Sequence, residues 1–155
     1  LAGDALLGVL AMGGVAFEVP LARWPRRDDL HWLASLPGPL PPGFTPLDTL
    51  DVPFLEVLAA SDVVLTKPGY GTFAEAACHG VPVVYVSRRD WPEEPYLEAW
   101  LATHGRGVEV PRAALATGEA AEAACALARG PRPRPVAPTG VEEAAEILAR
   151  LLGAA

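Results

Sequence analysis

The sequence predicts an α/β protein built on a parallel sheet covered by helices on both faces. Three observations predict it. Short, nearly continuous runs of valine and leucine (LLGVLAM, DVVLT, VPVVYV) have the composition of strands buried on two sides, without the alternation of a half-exposed strand. Between them lie longer stretches whose apolar residues recur three and four apart, as covering helices require. At 155 residues and 51% hydrophobic, the chain can bury one substantial core. Strand–helix alternation of this kind makes a Rossmann-like, doubly wound parallel sheet. No internal repeat interrupts it.

In chain order, LLGVLAM (6–12) reads as a buried strand closed by Gly13 and Gly14. The proline-rich, partly basic PLARWPRRDD leads to LHWLASL, a second strand of ambiguous periodicity, and PGPLPPG is a turn segment. FTPLDTL forms a third strand, weakened by Pro46. VPFLEVLAAS is helical, with Phe54, Leu55, Leu58 and Ala59 on one face. Then follow the strand DVVLT, the helix TFAEAACHG, the strand VPVVYVS, the helix EPYLEAWLATHG and the short strand GVEV. On the second of these helices Tyr96, Leu97 and Trp100 share the core face. His79 and His104 each precede a glycine at a helix end, where a histidine suits the negative dipole end and the glycine takes the left-handed position.

EAAEAACALARG is a helix of strong formers. It ends the α/β unit that we assign to residues 1–129. Residues 130–140 (GPRPRPVAPTG) make a stiff, extended linker, and 141–155 a C-terminal amphipathic helix expected to pack back on the domain.

Composition excludes several functions. A net charge of -7 attracts neither nucleic acid nor anionic lipid. Cys78 and Cys125 lie far apart, in no metal or redox spacing, and read as small buried hydrophobes in a reducing compartment. The longest apolar opening, LLGVLAMGGVAF, is too short to span a membrane, is flanked by Asp4 and Glu18, and lacks the basic start of a signal peptide. The expected location is therefore cytoplasmic. Asparagine and glutamine are missing, one lysine stands against 11 arginines, and there are 17 prolines, a composition compatible with a heat-adapted source.

The stretch TKPGYGTFAE (66–75) holds the only lysine. Two readings of it stand. As a connection, Lys67-Pro68-Gly69-Tyr70 fits a type II turn, and Thr72 with Glu75 matches a capping box. As a site, a strand end, the glycines Gly69 and Gly71 and a helix N-terminus together expose free N–H groups and a positive dipole end. They do so past the carboxyl ends of the strands, where open parallel sheets bind ligands. Lys67 is either a solvated strand-end charge or a counter-charge for a phosphate.

The segment SDVVLTKPGYGTFAEAACHGVPVVYVSRRDWPEEPYLEAWLATHGRGVEV resembles the C-terminal, nucleotide-sugar-binding domain of GT-B glycosyltransferases of the family 28 type. The KxGYGT…EA…GVP…R…EEP run is most similar to the glycosyltransferase-like region of L-arabinokinase-type proteins. About a third of the chain carries the likeness well, and LLGVLAMGG is similar to the first strand and glycine loop of such domains.

The resemblance implies roles for particular residues. Gly69, Tyr70, Gly71 and Thr72 would set main-chain amides and a hydroxyl against the donor diphosphate, with Lys67 beside it. Glu75 would accept hydrogen bonds from the ribose hydroxyls. Gly13 and Gly14 would border the cleft. Arg88, Glu93 and Glu94 stand where the family contacts the donor sugar, although the family often carries amide or Asp-Gln pairs there. That departure leaves a solvated, self-paired loop as the other reading of RRDWPEEP, and Trp91 within it as either a stacking or a packing residue.

The resemblance further implies a UDP-sugar as the most fitting donor and no cofactor or metal. It implies an acceptor site and general base on an N-terminal domain, since the chain starts where the second GT-B domain starts. No Ser/His/Asp set or Cys/His pair replaces that base, so the isolated chain is expected to bind donor and turn over little. A non-catalytic nucleotide-sugar-binding half, for instance attached to a sugar kinase, and a purely structural α/β domain are the alternatives.

Overall fold

The structure is a computed structural model that describes residues 5–14 and 18–153. Residues 1–4, 15–17 and 154–155, the last two within the expected C-terminal segment, lie outside it. Six strands form one sheet: β1 (Leu6–Ala11), β2 (Leu30–Ser35), β3 (Phe44–Pro46), β4 (Val63–Thr66), β5 (Val83–Val86) and β6 (Gly107–Val110). Every pairing is parallel and the order is β3-β2-β1-β4-β5-β6. This is the Rossmann strand order, which reverses direction between β1 and β4 and so opens a crevice there. The expected fold class is the one observed.

The strands are apolar on both faces because each face is covered. On one side Leu10, Met12, Val63, Leu65, Val84 and Val86 pack against α4 (Ala113–Thr117) and α5 (Glu119–Ala128). On the other, Val9, Ala11, Val64 and Val83 pack against α1 (Phe54–Ala59), α2 (Tyr70–His79) and α3 (Glu94–His104). Phe73 of α2 is fully buried there, a contribution of about 1.5–3 kcal/mol by area. In β1, Gly8 faces Trp32 of β2, and a Cβ on it would stand 2.6 Å from the indole ring. Only glycine lets that aromatic cross the strand.

Several local expectations are corrected. FTPLDTL is a strand only over Phe44–Pro46, after which the chain turns into a 3-10 segment, Leu47–Thr49, because Pro46 lacks the N–H that would extend the ladder. In α1 the buried residues are Val57 and Leu58, while Leu55 is exposed, so the helix is rotated from the expected face. Tyr96 is 78% exposed and leaves the core face to Leu97, Leu101 and the partly buried Trp100. Gly105 is extended (φ -136) rather than left-handed, whereas Gly80 takes the left-handed position (φ 64) as expected. The two histidines do donate to last-turn carbonyls, His79 to Glu75 (2.8 Å) and His104 to Trp100 (2.9 Å).

The proline-rich segment is tied to the base of the domain: Arg132 donates to the carbonyls of Gly80, Ala59 and Ser61, and the Val136 amide to Ala77. The last helix, α6 (Gly140–Leu151), was expected to pack back, but it buries no residue. Val141, Ile147, Leu148 and Leu151 are exposed.

Candidate functional site

The crevice is built where β4 ends. The Thr66 hydroxyl donates to the Ala11 carbonyl (2.7 Å), tying β4 to β1 at the point of reversal. Pro68, buried and without an N–H, ends the strand. Gly69 is extended (φ -170), and the Phe73 amide donates to its carbonyl (3.1 Å), which makes Gly69 the residue that opens α2.

Two expectations change with that geometry. The turn is not type II, because Gly69 lacks the positive φ that the third position requires. The capping box is not formed either: α2 starts at Tyr70, two residues before Thr72, so Thr72 already lies within the first turn and no side chain caps the helix. The amides of Tyr70, Gly71 and Thr72 therefore have no partner among the described residues. Glu75, one turn further on, is half-buried, and its carboxylate is engaged by no described residue.

Lys67 completes this wall. Its ammonium lies between the two glycine loops, 3.2 Å from where a Cβ on Gly69 would stand and 3.6 Å from one on Gly13. Gly13 is left-handed (φ 61) and, like Gly14, exposed. Burial lowers the Lys67 pKa first, and the Arg88 charge lowers it further. No described carboxylate forms an ion pair with Lys67 or Arg88. A helix N-terminus and the Lys67 ammonium thus lie together, with the Arg88 charge near enough to lower the Lys67 pKa, in a chain of net charge -7.

The loop between β5 and α3 forms the facing wall. The Arg88 guanidinium sits 4.5 Å above the Trp91 ring, and Tyr70 meets Trp91 edge-on with centroids 5.9 Å apart. Glu93 is exposed beside the Tyr70 hydroxyl and raises its pKa by hydrogen bonding. Glu94 behaves differently. It is 4% exposed, and both of its oxygens accept from the Arg88 main-chain amide (3.0 and 2.8 Å).

Sequence reasoning thus named residues that the structure gathers on two walls: Gly13, Gly14, Lys67, Gly69, Tyr70, Gly71 and Thr72 on one, Arg88 and Glu93 on the other. Glu94 belongs to the loop but turns inward. Reasoning from sequence missed Thr66, whose hydroxyl looks like any strand threonine, and the acidic neighbours of Glu94. Glu98, one turn along α3, has a pKa raised by burial and by Glu94 and Glu109, and Tyr85 is pushed up to about 12 by burial and by Glu98. Glu94, Glu98 and Glu109 line a cavity of 660 Å³ with Ser87, Asp90 and Trp91, which includes no residue of the glycine turn. The helical spacing of Glu94 and Glu98 was the available signal.

No family model matches the chain. Over 80 residues it is 42% identical to an L-arabinokinase of Arabidopsis thaliana, a match that covers 52% of this chain and 8% of that protein. Over 85 residues it is 38% identical to the UDP-N-acetylglucosamine–N-acetylmuramyl-(pentapeptide) pyrophosphoryl-undecaprenol N-acetylglucosamine transferase of Deinococcus deserti, covering 55% of this chain and 18% of the other. The chain thus spans less than a fifth of the length of these curated relatives. Among solved structures, the glycotransferase of kitacinnamycin superposes with a TM-score of 0.62 at 24% identity, over 84% of this chain and 37% of that one. At that identity the superposition speaks for the fold alone. In fold the chain is a Rossmann-like α/β domain, and in sequence it is similar to part of these relatives, at partial coverage consistent with a C-terminal GT-B domain.

Proposed function

We propose that the chain is the nucleotide-sugar-binding domain of a glycosyltransferase that moves a sugar from an NDP-sugar donor, most fittingly a UDP-sugar, to an acceptor. One observation carries this reading: the unpartnered amides of Tyr70, Gly71 and Thr72 converge with Lys67 at the reversal point of the sheet. A diphosphate seated there gains main-chain donors, a positive dipole end and a counter-charge. In the transfer step, negative charge builds up on the leaving diphosphate, and the same groups stabilise it without rearranging. Glu75 offers a carboxylate for the ribose diol, and Arg88 a second cation at the mouth.

The acceptor site and the base that deprotonates the acceptor belong, on this reading, to an N-terminal domain facing the crevice. We assign the protein to the cytoplasm, where its free thiols stay reduced; among the described residues no helix is long and apolar enough to cross a membrane. A second reading, a nucleotide-sugar-binding half without turnover, is favoured by the engagement of Glu94 with its own loop. Calorimetric titration with UDP-, GDP- and TDP-sugars tests the shared premise. Binding of one family of nucleotides supports it, and heat from none of them removes it. Transfer assays on a protein containing both domains then separate the two readings.

A further inference from the structure

Three polar side chains are buried among the described residues: Ser61, Thr66 and Glu94. Ser61 returns its hydroxyl to the helix just before it, at the Val57 carbonyl (2.6 Å), and Glu94 accepts from its own loop. Thr66 differs, because its hydroxyl leaves its own strand. It closes a run that is otherwise valine and leucine, and a valine would fill the same space with no hydroxyl to satisfy. The hydroxyl donates to the Ala11 carbonyl of β1 (2.7 Å) and stands 3.3 Å from the Lys67 carbonyl. Ala11 and Thr66 are also the last paired rung between β1 and β4. Beyond it the two strands part. Gly13 bends one chain with a left-handed φ of 61, and Pro68 takes the other out of the sheet. Lys67 spans the gap: its Nζ lies 3.6 Å from where a Cβ on Gly13 would stand and 3.2 Å from one on Gly69. The place of this ammonium therefore depends on how far apart the two lips are held.

Resting on the nucleotide-site reading above, we infer that Thr66 is a positioning residue for the bound diphosphate and acts through Lys67. Its hydroxyl locks the last rung, and with it the spacing of the Gly13 and Gly69 loops across which the ammonium lies. Without that bond the lips are free to separate. The ammonium, on a flexible four-carbon stem, then follows one lip and leaves the other. The anion still meets the amides of Tyr70, Gly71 and Thr72, but without a fixed counter-charge. Thr66 itself touches no ligand.

The test is titration of UDP and of inorganic pyrophosphate into wild type, Thr66→Val, Thr66→Ser, Lys67→Met and the double variant, at a temperature where each is folded. Thr66→Val is expected to bind both probes about tenfold more weakly. Thr66→Ser, which keeps the donor, should stay within about threefold of wild type, and Thr66→Val should add less than about threefold once Lys67 is replaced. A hydroxyl that only stabilises the fold would lower the melting temperature of Thr66→Val and leave affinity unchanged, and that result overturns the inference. So does an undiminished Thr66→Val loss in the Lys67→Met background, or a failure of Thr66→Ser to restore binding. If Thr66→Val does not fold, Thr66→Ala takes its place. Absence of binding of both probes by wild type overturns the nucleotide-site reading and this inference with it. Wild-type binding that Thr66→Val preserves overturns the inference only.

Discussion

The Thr66 hydroxyl donates to the Ala11 carbonyl over 2.7 Å, a buried bridge between the two strands at which the strand order reverses. Both glycine loops start within three residues of this bond, so it holds the two lips of the crevice in register. Thr66→Val keeps the shape and leaves the Ala11 carbonyl without that donor. The expected cost is about 1–3 kcal/mol, or roughly 2–12 °C in melting temperature for a chain of this size. Thermal unfolding measures it, and an unchanged melting temperature contradicts the role.

Gly71 has neither of the usual structural reasons to be glycine. Its φ is not positive, and a Cβ on it would meet no atom within 4 Å. Gly71→Ala is therefore expected to keep or raise stability, by up to about 1 kcal/mol from helix propensity and reduced chain entropy. The added methyl would project into the space that the free amides face, so nucleotide affinity should fall severalfold. Titration alongside thermal unfolding checks the pair of effects. A variant that binds as well as the wild type removes Gly71 from the site.

Lys67 carries the pH dependence. Burial, then Arg88, lowers its pKa from the ordinary 10.5, so part of the population loses its charge at a pH where an exposed lysine keeps it. A diphosphate favours the charged form and raises the pKa again on binding. Affinity for UDP should therefore decline as pH rises through the lowered Lys67 value, beginning below 10.5. Lys67→Met is expected to bind about tenfold more weakly, a loss of about 1.4 kcal/mol, with a flatter pH profile. Parallel profiles for wild type and variant would count against Lys67 as the counter-charge.

How much of this was legible beforehand depended on the range of the interaction that decides each feature. The sheet could be read because Val9, Val64 and Val83 face one helix layer while Leu10, Leu65 and Val84 face the other, and two covered faces leave continuous apolar runs in sequence. The glycine turn was located correctly, but its detail was misjudged. Thr72 and Glu75 satisfy the local pattern of a capping box, yet the Thr66–Ala11 bond and buried Pro68 bring the chain into the helix two residues sooner. Glu93 and Glu94 look alike in sequence. One faces outward and the other is buried because α3 begins at Glu94 and turns that side chain toward the Arg88 amide. Tertiary contacts of this kind leave no mark at short range.

Asp29 joins the start of β2 to the end of α5. Arg27 meets both of its oxygens at 2.9 Å, and Arg129 donates to one of them from the other element. These hydrogen bonds, Arg27 first, hold the carboxyl well below its ordinary value of 3.8. A carboxylate so lowered contributes stability above the unfolded value and loses it as pH falls through the folded one. Asp29→Asn should therefore melt lower than wild type at neutral pH, with curves converging only in strong acid. Because the groups are partly exposed, the gap should also narrow in 1 M salt. A gap that persists at acid pH and high salt assigns the effect to packing instead.

Gly80 closes α2 at the end of the domain opposite the crevice, with φ 64. A Cβ there would stand 2.5 Å from the Pro133 carbonyl, part of the proline-rich segment that Arg132 fastens to Gly80, Ala59 and Ser61. Gly80→Ala consequently combines a left-handed alanine, about 1–2 kcal/mol, with displacement of that segment. It should lower the melting temperature, speed proteolysis between residues 130 and 139, and leave UDP affinity unchanged because no crevice residue moves. Loss of nucleotide affinity in a still-folded Gly80→Ala would mean that the segment and the crevice are coupled through α2. Retained affinity with faster cleavage means that the helix has two independent ends, one tying down the chain and one facing the anion.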